Sequence, residues 1–120
     1  MRIAVAGAGT TGAYVYRLLA NRGIQAEIYG RECRTACGIN PCAWGTSRDF
    51  FDLVRAAGLE PEKYLLQVTD HVWMDDVRIP GDLMTFDKPT LIQDLLRGAT
   101  IRKDPLDTGA YDRVIDATGI

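Results

Sequence analysis

Much that would announce a function is scarce in this chain of 120 residues. It has one histidine, His71, placed in a β-like stretch beside Asp70, where it reads as structural rather than as a general base. No apolar run approaches the roughly 20 residues that a membrane span needs. Charge of one sign is also lacking: 14 basic against 16 acidic residues give a net charge of −2. That balance argues against a nucleic-acid surface, which is usually clearly basic. Cysteines are few and odd in number, Cys33, Cys37 and Cys42, so no disulfide framework is expected. Their C-x3-C-x4-C spacing matches no common zinc or iron–sulfur pattern, and no metal is expected there. Met1-Arg2 runs directly into Ile3–Ala6, which reads as a core strand rather than a secretory leader, so a cytoplasmic chain is expected. No repeat, low-complexity segment or dividing linker breaks the chain.

What remains is an ordinary globular composition, 47% apolar and 25% charged, in about one domain's length. Residues 2–6 are a short apolar run suited to a buried parallel strand. Residues 11–22 carry Ala13, Tyr16, Leu19 and Ala20 near helical spacing, and Gly23 stands where a helix-ending glycine belongs. Residues 24–29 alternate as a second strand. Together they have the size of a βαβ unit. A loop over 30–46 holds all three cysteines and Trp44, and irregular segments of that length are usually functional or disordered. Ser47 is a plausible N-cap for a helix over 47–57, with Phe50, Phe51, Leu53 and Val54 as its core face. Arg48, Arg55 and Arg97 read as solvated helix charges. Residues 64–86 read as an antiparallel β excursion, with Asp75-Asp76 at a solvated turn. Leu91, Ile92, Leu95 and Leu96 mark a helix ended by Gly98, and strands are expected near 99–103 and 113–118. The fold class is therefore α/β: a Rossmann-like domain over 1–120, with a mostly parallel sheet and helices on both faces.

The segment Gly7-Ala8-Gly9-Thr10-Thr11-Gly12 fits G-x-G-x-x-G between a strand and a helix, the context that gives this motif meaning. The first glycine permits the sharp turn, the second lets a pyrophosphate approach the backbone, and the third lets helix and strand pack closely. Backbone N–H groups and the helix dipole would meet the phosphates. The expected partner is an acid about 20 residues on, at the end of the second strand, where it reads the ribose. That place holds Gly30, followed by Arg31 and Glu32. Two ligands stay open. Gly30 could make room for a 2′-phosphate paired with Arg31, which means NADP(H); or Glu32 or the main chain holds the ribose of FAD.

In addition, the chain resembles the FAD-dependent oxidoreductases of the geranylgeranyl reductase type, related to p-hydroxybenzoate hydroxylase. The resemblance runs in order through "RIAVAGAGTTGAYVYRLLANRGIQAEIYGR", "CGINPCAWGTSRDFFDLVRAAGL", "FDKPTLIQDLLRGA" and "YDRVIDATGI". It implies an FAD-binding portion of an oxidoreductase acting on isoprenoid double bonds or a similar small apolar substrate. Cys37-Gly38 would lie at the family's Cys-Gly loop, with Cys37 as candidate proton donor or packed small residue near the flavin, and Thr118-Gly119 would pass close to the cofactor. Cys33 and Cys42 acquire no role from it, and Trp44 reads either as a residue stacking on a ring or isoprenoid chain or as a simply buried one. The sequence departs from the family at Gly30, which replaces a ribose-binding Glu, and at Lys88, which replaces Arg and loses its planar fork. The family continues into a large substrate-binding sheet, so the resemblance implies an N-terminal portion that is completed by further sequence or by a partner chain.

Overall fold

In the computed structural model, residues 1–31 and 44–119 are described. Four parallel strands form one sheet: β1 (Ile3–Ala6), β2 (Glu27–Tyr29), β6 (Ile101–Arg102) and β7 (Arg113–Asp116), in the order β6-β2-β1-β7. Three antiparallel strands form another: β3 (Gly45–Thr46), β4 (Leu65–Met74) and β5 (Val77–Phe86), in the order β3-β5-β4. The helices are α1 (Thr10–Asn21), α2 (Asp49–Ala56) and α3 (Lys88–Leu95). The chain is thus mixed α/β, and the antiparallel excursion expected over 64–86 is the β4–β5 hairpin.

The sheet order explains where the helices lie. The path β1→β2→β6 moves steadily to one side, so its two right-handed crossovers fall on one face. These carry α1, then α2, the hairpin and α3. The path β6→β7 reverses and crosses on the other face, through a connection whose only helical turn is the 3-10 segment Thr108–Ala110. Helices on both faces are therefore not found among the described residues. All three α-helices form one layer around α1. Tyr14 and Asn21 of α1 donate to the carbonyls of Leu53 and Ala57 at 2.9 Å each. Arg17 reaches the end of α3, donating to the carbonyls of Leu95 (2.8 Å), Asp94 (3.3 Å) and Arg97 (2.6 Å). A guanidinium there satisfies carbonyls that a helix end leaves without partners, and it lies at the negative end of the dipole.

The core gathers Ala13, Phe50, Val54, Ala57, Tyr64, Met84, Phe86, Leu91, Ile92 and Leu95. In α2 the buried positions are Phe50 and Val54, with Ala57 just beyond. Leu53 points away and is 52% exposed, contrary to the core role expected of it. Ser47 is not the N-cap of that helix. Arg48 takes the position without a side-chain cap, and Asp49 and Asp52 supply negative charge in the first turn instead. The strands are shorter than expected, for local reasons. Ile24 N–H still bonds back to Leu19 of α1, so β2 starts only at Glu27. Ala99 N–H turns back to Leu96 before β6, and Thr118 turns back onto Asp116 after β7.

On the face opposite α1, Tyr111 from the β6–β7 connection meets Tyr29 edge to face, and their hydroxyls are 2.6 Å apart. Tyr111 also donates to Glu27, which lowers the Glu27 carboxyl and raises the Tyr111 phenol relative to their ordinary values. Arg102 and Arg2 lie over the Tyr29 and Tyr111 rings at 4.9 and 4.7 Å. This cluster pins the connection across the sheet.

The hairpin projects from the core with apolar residues on both strands. Met84 and Phe86 begin it inside the core. The cross-strand pairs Val72–Ile79 and Met74–Val77 continue it outwards, where Met74 is 66% and Val77 61% exposed. At the tip, Asp75 occupies a left-handed conformation (φ 53°) that aspartate tolerates in a two-residue turn. His71 Nδ1 donates to the Asp70 carboxylate at 2.6 Å on the exposed ribbon. Arg48, Arg55 and Arg97, expected as solvated helix charges, are exposed but paired, Arg48 with Asp82, Arg55 with Glu62 and Arg97 with Asp94.

Candidate functional site

The glycine turn lies at the C-terminal end of β1, flanked by the ends of β2 and β7. Strand order reverses between β1 and β7, so this is the crevice where open parallel sheets bind ligands. Gly7 has φ +109°, and its N–H donates to the Tyr29 carbonyl at 2.8 Å. A Cβ on Gly7 would stand 2.3 Å from the Ala117 carbonyl oxygen. A Cβ on Gly12 would stand 1.8 Å from the Gly7 oxygen, with Ala117 Cβ at 3.5 Å. The first and third glycines are therefore required by the turn and by the close packing of α1 on β1 and β7. Around Gly9 nothing lies within 4 Å of an added Cβ, and its backbone is extended (φ −76°, ψ −166°). The second glycine keeps a surface bare.

That bare surface is the N-terminus of α1, where Gly9 is the N-cap. It makes no side-chain cap bond, and no acidic residue occupies the first turn. The contrast with α3 is direct: Asp87 accepts from Thr90 N at 3.2 Å. Thr10 Oγ1, at the start of α1, is buried without a hydrogen-bond partner. An unneutralised helix dipole and a bare approach at Gly9 suit a phosphate group. Ala8 and Thr11 complete the turn, Thr11 exposed and Ala8 half-buried.

The remaining candidates divide. Thr118 donates through N (3.0 Å) and Oγ1 (2.7 Å) to Asp116 Oδ1, which holds the Asp116 carboxyl below its usual range. Gly119 follows with φ +78°. Both stand beside the glycine turn, because Ala117 touches Gly7 and Gly12. Gly30 N–H donates to the Arg102 carbonyl at 2.9 Å, joining the ends of β2 and β6. The space beside Gly30 is not an open phosphate niche: an added Cβ would lie 2.7 Å from Ala8 Cβ and 3.0 Å from Ile101 Cγ2. Arg31 is exposed. Glu32, Cys33, Cys37, Gly38 and Cys42 lie outside the described residues. Among the described residues, no cluster of three His, Cys, Asp or Glu side chains could hold a metal ion. No described helix is long and apolar enough to cross a membrane.

A cleft of about 570 Å³ lies at the far end of the sheet, between Arg2, Ile3, Tyr16, Ile24 and Glu27. It shares no residue with the glycine turn, and the ligand geometry described above is not there. The contact of residue 30 with residues 8 and 101 had no signal in the sequence, since it joins three segments distant in the chain. No protein-family model matches this chain, and no curated protein matches it.

Proposed function

We propose that this chain is the FAD-binding portion of a flavin-dependent oxidoreductase, built on a Rossmann-like fold, that acts on isoprenoid double bonds or a similar apolar substrate. The observation that carries the nucleotide reading is the division of labour in the glycine turn. Gly7 and Gly12 are demanded by contacts within the chain, whereas Gly9 is demanded by none, which is what a backbone kept bare for a pyrophosphate looks like. The choice of FAD rests on the resemblance of the four quoted segments to the geranylgeranyl reductase type.

Bound flavin would supply the redox chemistry itself. The chain's part is to hold and orient it. The N–H groups at the start of α1 and the positive end of its dipole would take the pyrophosphate. The Thr118-Gly119 backbone, fixed by the Asp116 turn, would border the cofactor where it passes β7. Titration of the purified chain with FAD, followed by flavin fluorescence, tests this. Saturable quenching that NADP(H) does not displace supports FAD. Saturable NADP(H) binding without FAD binding would instead support a reductase's NADP(H)-binding domain. No binding of either would sink both.

The hairpin favours a second reading, a nucleotide-binding module that works only with a partner. Val68, Val72, Met74, Val77 and Ile79 are all at least 36% exposed. They stand on a ribbon whose outer half has only two strands, since β3 pairs near Thr85 and Met84 alone. Such ribbons are marginal in isolation, and exposed apolar rows mark interaction surfaces. Light scattering that shows a stable lone monomer would count against it.

A further inference from the structure

Resting on the partner reading of the hairpin, and narrowing it, we infer that the partner is a second copy of this chain, joined edge to edge through β4 in a two-fold antiparallel pair centred on His71. The antiparallel sheet has two edges, and they differ. On the β5 side, β3 covers Thr85 and Met84 at the base, Arg48 reaches Asp82 at 2.8 Å, and Pro80 interrupts the edge with a residue that has no N–H. On the β4 side no described strand pairs, and Leu65–Met74 contains no proline, lysine or arginine. A long edge without such protection is a template for another strand.

The turn fixes which main-chain groups that edge presents. Met74 and Val77 flank the two residues Asp75 and Asp76, so they form a hydrogen-bonded pair, and the pattern alternates from there. The extra residue at the irregularity between Thr69 and His71 lies on β5, where Gly81 and Asp82 face Asp70 alone, so the alternation along β4 is unbroken. The N–H and C=O groups of Thr69, His71 and Trp73 therefore point away from β5. Two contacts agree. Pro80 stands opposite His71, a place on the ladder that needs no donor. The His71 N–H donates to Thr69 Oγ1 at 3.4 Å, and the His71 carbonyl accepts from the same hydroxyl at 2.8 Å.

Charge then selects the register. A parallel pair would set the Asp75-Asp76 turns of both copies side by side, and like charges in direct opposition are destabilising. An antiparallel pair about a two-fold axis keeps each residue on its own face of the joined sheet, so the axis must pass through a residue. The regular stretch of β4 runs from Gln67 to Met74, because the strand's other irregularity lies between Leu65 and Gln67. Its central residues are Asp70 and His71. An axis at Asp70 would set two carboxylates against each other. An axis at His71 instead sets Asp70 against Val72, Thr69 against Trp73 and Val68 against Met74 of the other copy. Val68 and Met74 are both exposed in the lone chain and would cover each other. Leu66 and Gln67, alongside the incoming turn, are exposed and leave room for it. The pair uses up both open edges and leaves only the protected ones, so it closes as a dimer rather than growing into a fibre.

Sedimentation velocity on the wild type, His71→Ala, His71→Pro, Val68→Asp and Val68→Asp/Met74→Lys tests this, with melting curves alongside. The wild type and His71→Ala should show a concentration-dependent dimer. His71→Pro, which differs from His71→Ala in losing the outward N–H, should dimerise at least about tenfold more weakly. Val68→Asp should weaken the dimer by a similar factor. Adding Met74→Lys should restore it to within about threefold, because the new carboxylate then faces the new ammonium of the other copy. Positions 68 and 74 are about 20 Å apart along one strand, so that rescue can come only from a second chain. If His71→Pro melts early, the charge swap decides alone. A dimer that a folded His71→Pro leaves intact is joined elsewhere, and a double variant no better than Val68→Asp has another register; each overturns the inference and leaves the partner reading standing. A wild type that stays monomeric up to about 1 mM overturns the inference and counts against the partner reading as well.

Discussion

Substituting alanine for Gly9 and for Gly12, one at a time, should separate binding from stability. At Gly12 the new Cβ would sit 1.8 Å from the Gly7 carbonyl oxygen, whereas unstrained carbon–oxygen contacts lie near 3.3 Å. Helix α1 would have to retreat by roughly 1.5 Å from β1, against backbone that cannot rotate away. One surplus methylene in a packed core costs about 1–3 kcal/mol, and here the obstacle is main chain, so at least about 3 kcal/mol is expected. That is a large part of the roughly 5–15 kcal/mol a domain has. At Gly9 nothing lies within 4 Å, and the extended backbone suits any residue. Two terms oppose there. Alanine restricts the unfolded chain, a gain of about 0.4–1 kcal/mol. It is also the poorer N-cap, a loss of similar size. The net change should stay within about 1 kcal/mol of zero. Urea unfolding and FAD titration on both variants provide the assay. Gly9→Ala should unfold like the wild type yet, on the proposed function, bind FAD at least about tenfold more weakly, because its methyl would stand where a pyrophosphate is proposed to approach. A Gly9→Ala variant with wild-type affinity would refute the assignment of the bare surface to a ligand. A Gly12→Ala variant with wild-type stability would refute the packing argument.

Three further outcomes are expected. Arg17→Met should lose about 2–3 kcal/mol in urea unfolding, since three carbonyls at the end of α3 lose a charged donor, whereas Arg22→Met on the exposed end of α1 should change stability by under about 0.5 kcal/mol. Asp94 accepts from Lys63 (2.7 Å) and Tyr64 (2.5 Å) and pairs with Arg97; the Lys63 and Tyr64 bonds, chiefly, hold its carboxyl below the usual range. A depressed folded-state value gives stability that is present above the unfolded value near 3.9 and is lost as pH falls through the folded value. Asp94→Asn should therefore lower stability at pH 7, and the gap to the wild type should close below about pH 4 in chemical unfolding across pH; a constant gap would contradict this. Met74→Glu with Val77→Lys should reduce any association seen by light scattering without moving the melting temperature, because both side chains are more than 60% exposed and the directly opposite pair then carries opposite charges.

The local elements were legible because their causes are local. Gly23, Gly58 and Gly98 each adopt positive φ just past a helix, as helix-ending glycines do, and Asp75 turns the hairpin where two carboxylates meet. The glycine turn was readable for the same reason: strand, turn and helix follow one another in about twenty residues. Leu53 was misread because helical spacing alone cannot say how wide a helix's buried stripe is. In α2 Phe50 and Val54 are buried, with Ala57 just beyond, and Phe51 packs against them, whereas Leu53 faces out.

The order of amino acids by itself therefore determined an α/β chain with a parallel strand–helix–strand opening, an antiparallel hairpin and a phosphate-suited glycine turn. Period and turn chemistry act over a few residues. Only the tertiary structure decided that the helices share one face, that Arg17 closes α3 from 78 positions away, and that residue 30 is pressed between residues 8 and 101. Those facts depend on which distant segments approach within van der Waals distance. The order of the strands sets that, and no spacing along the chain encodes it.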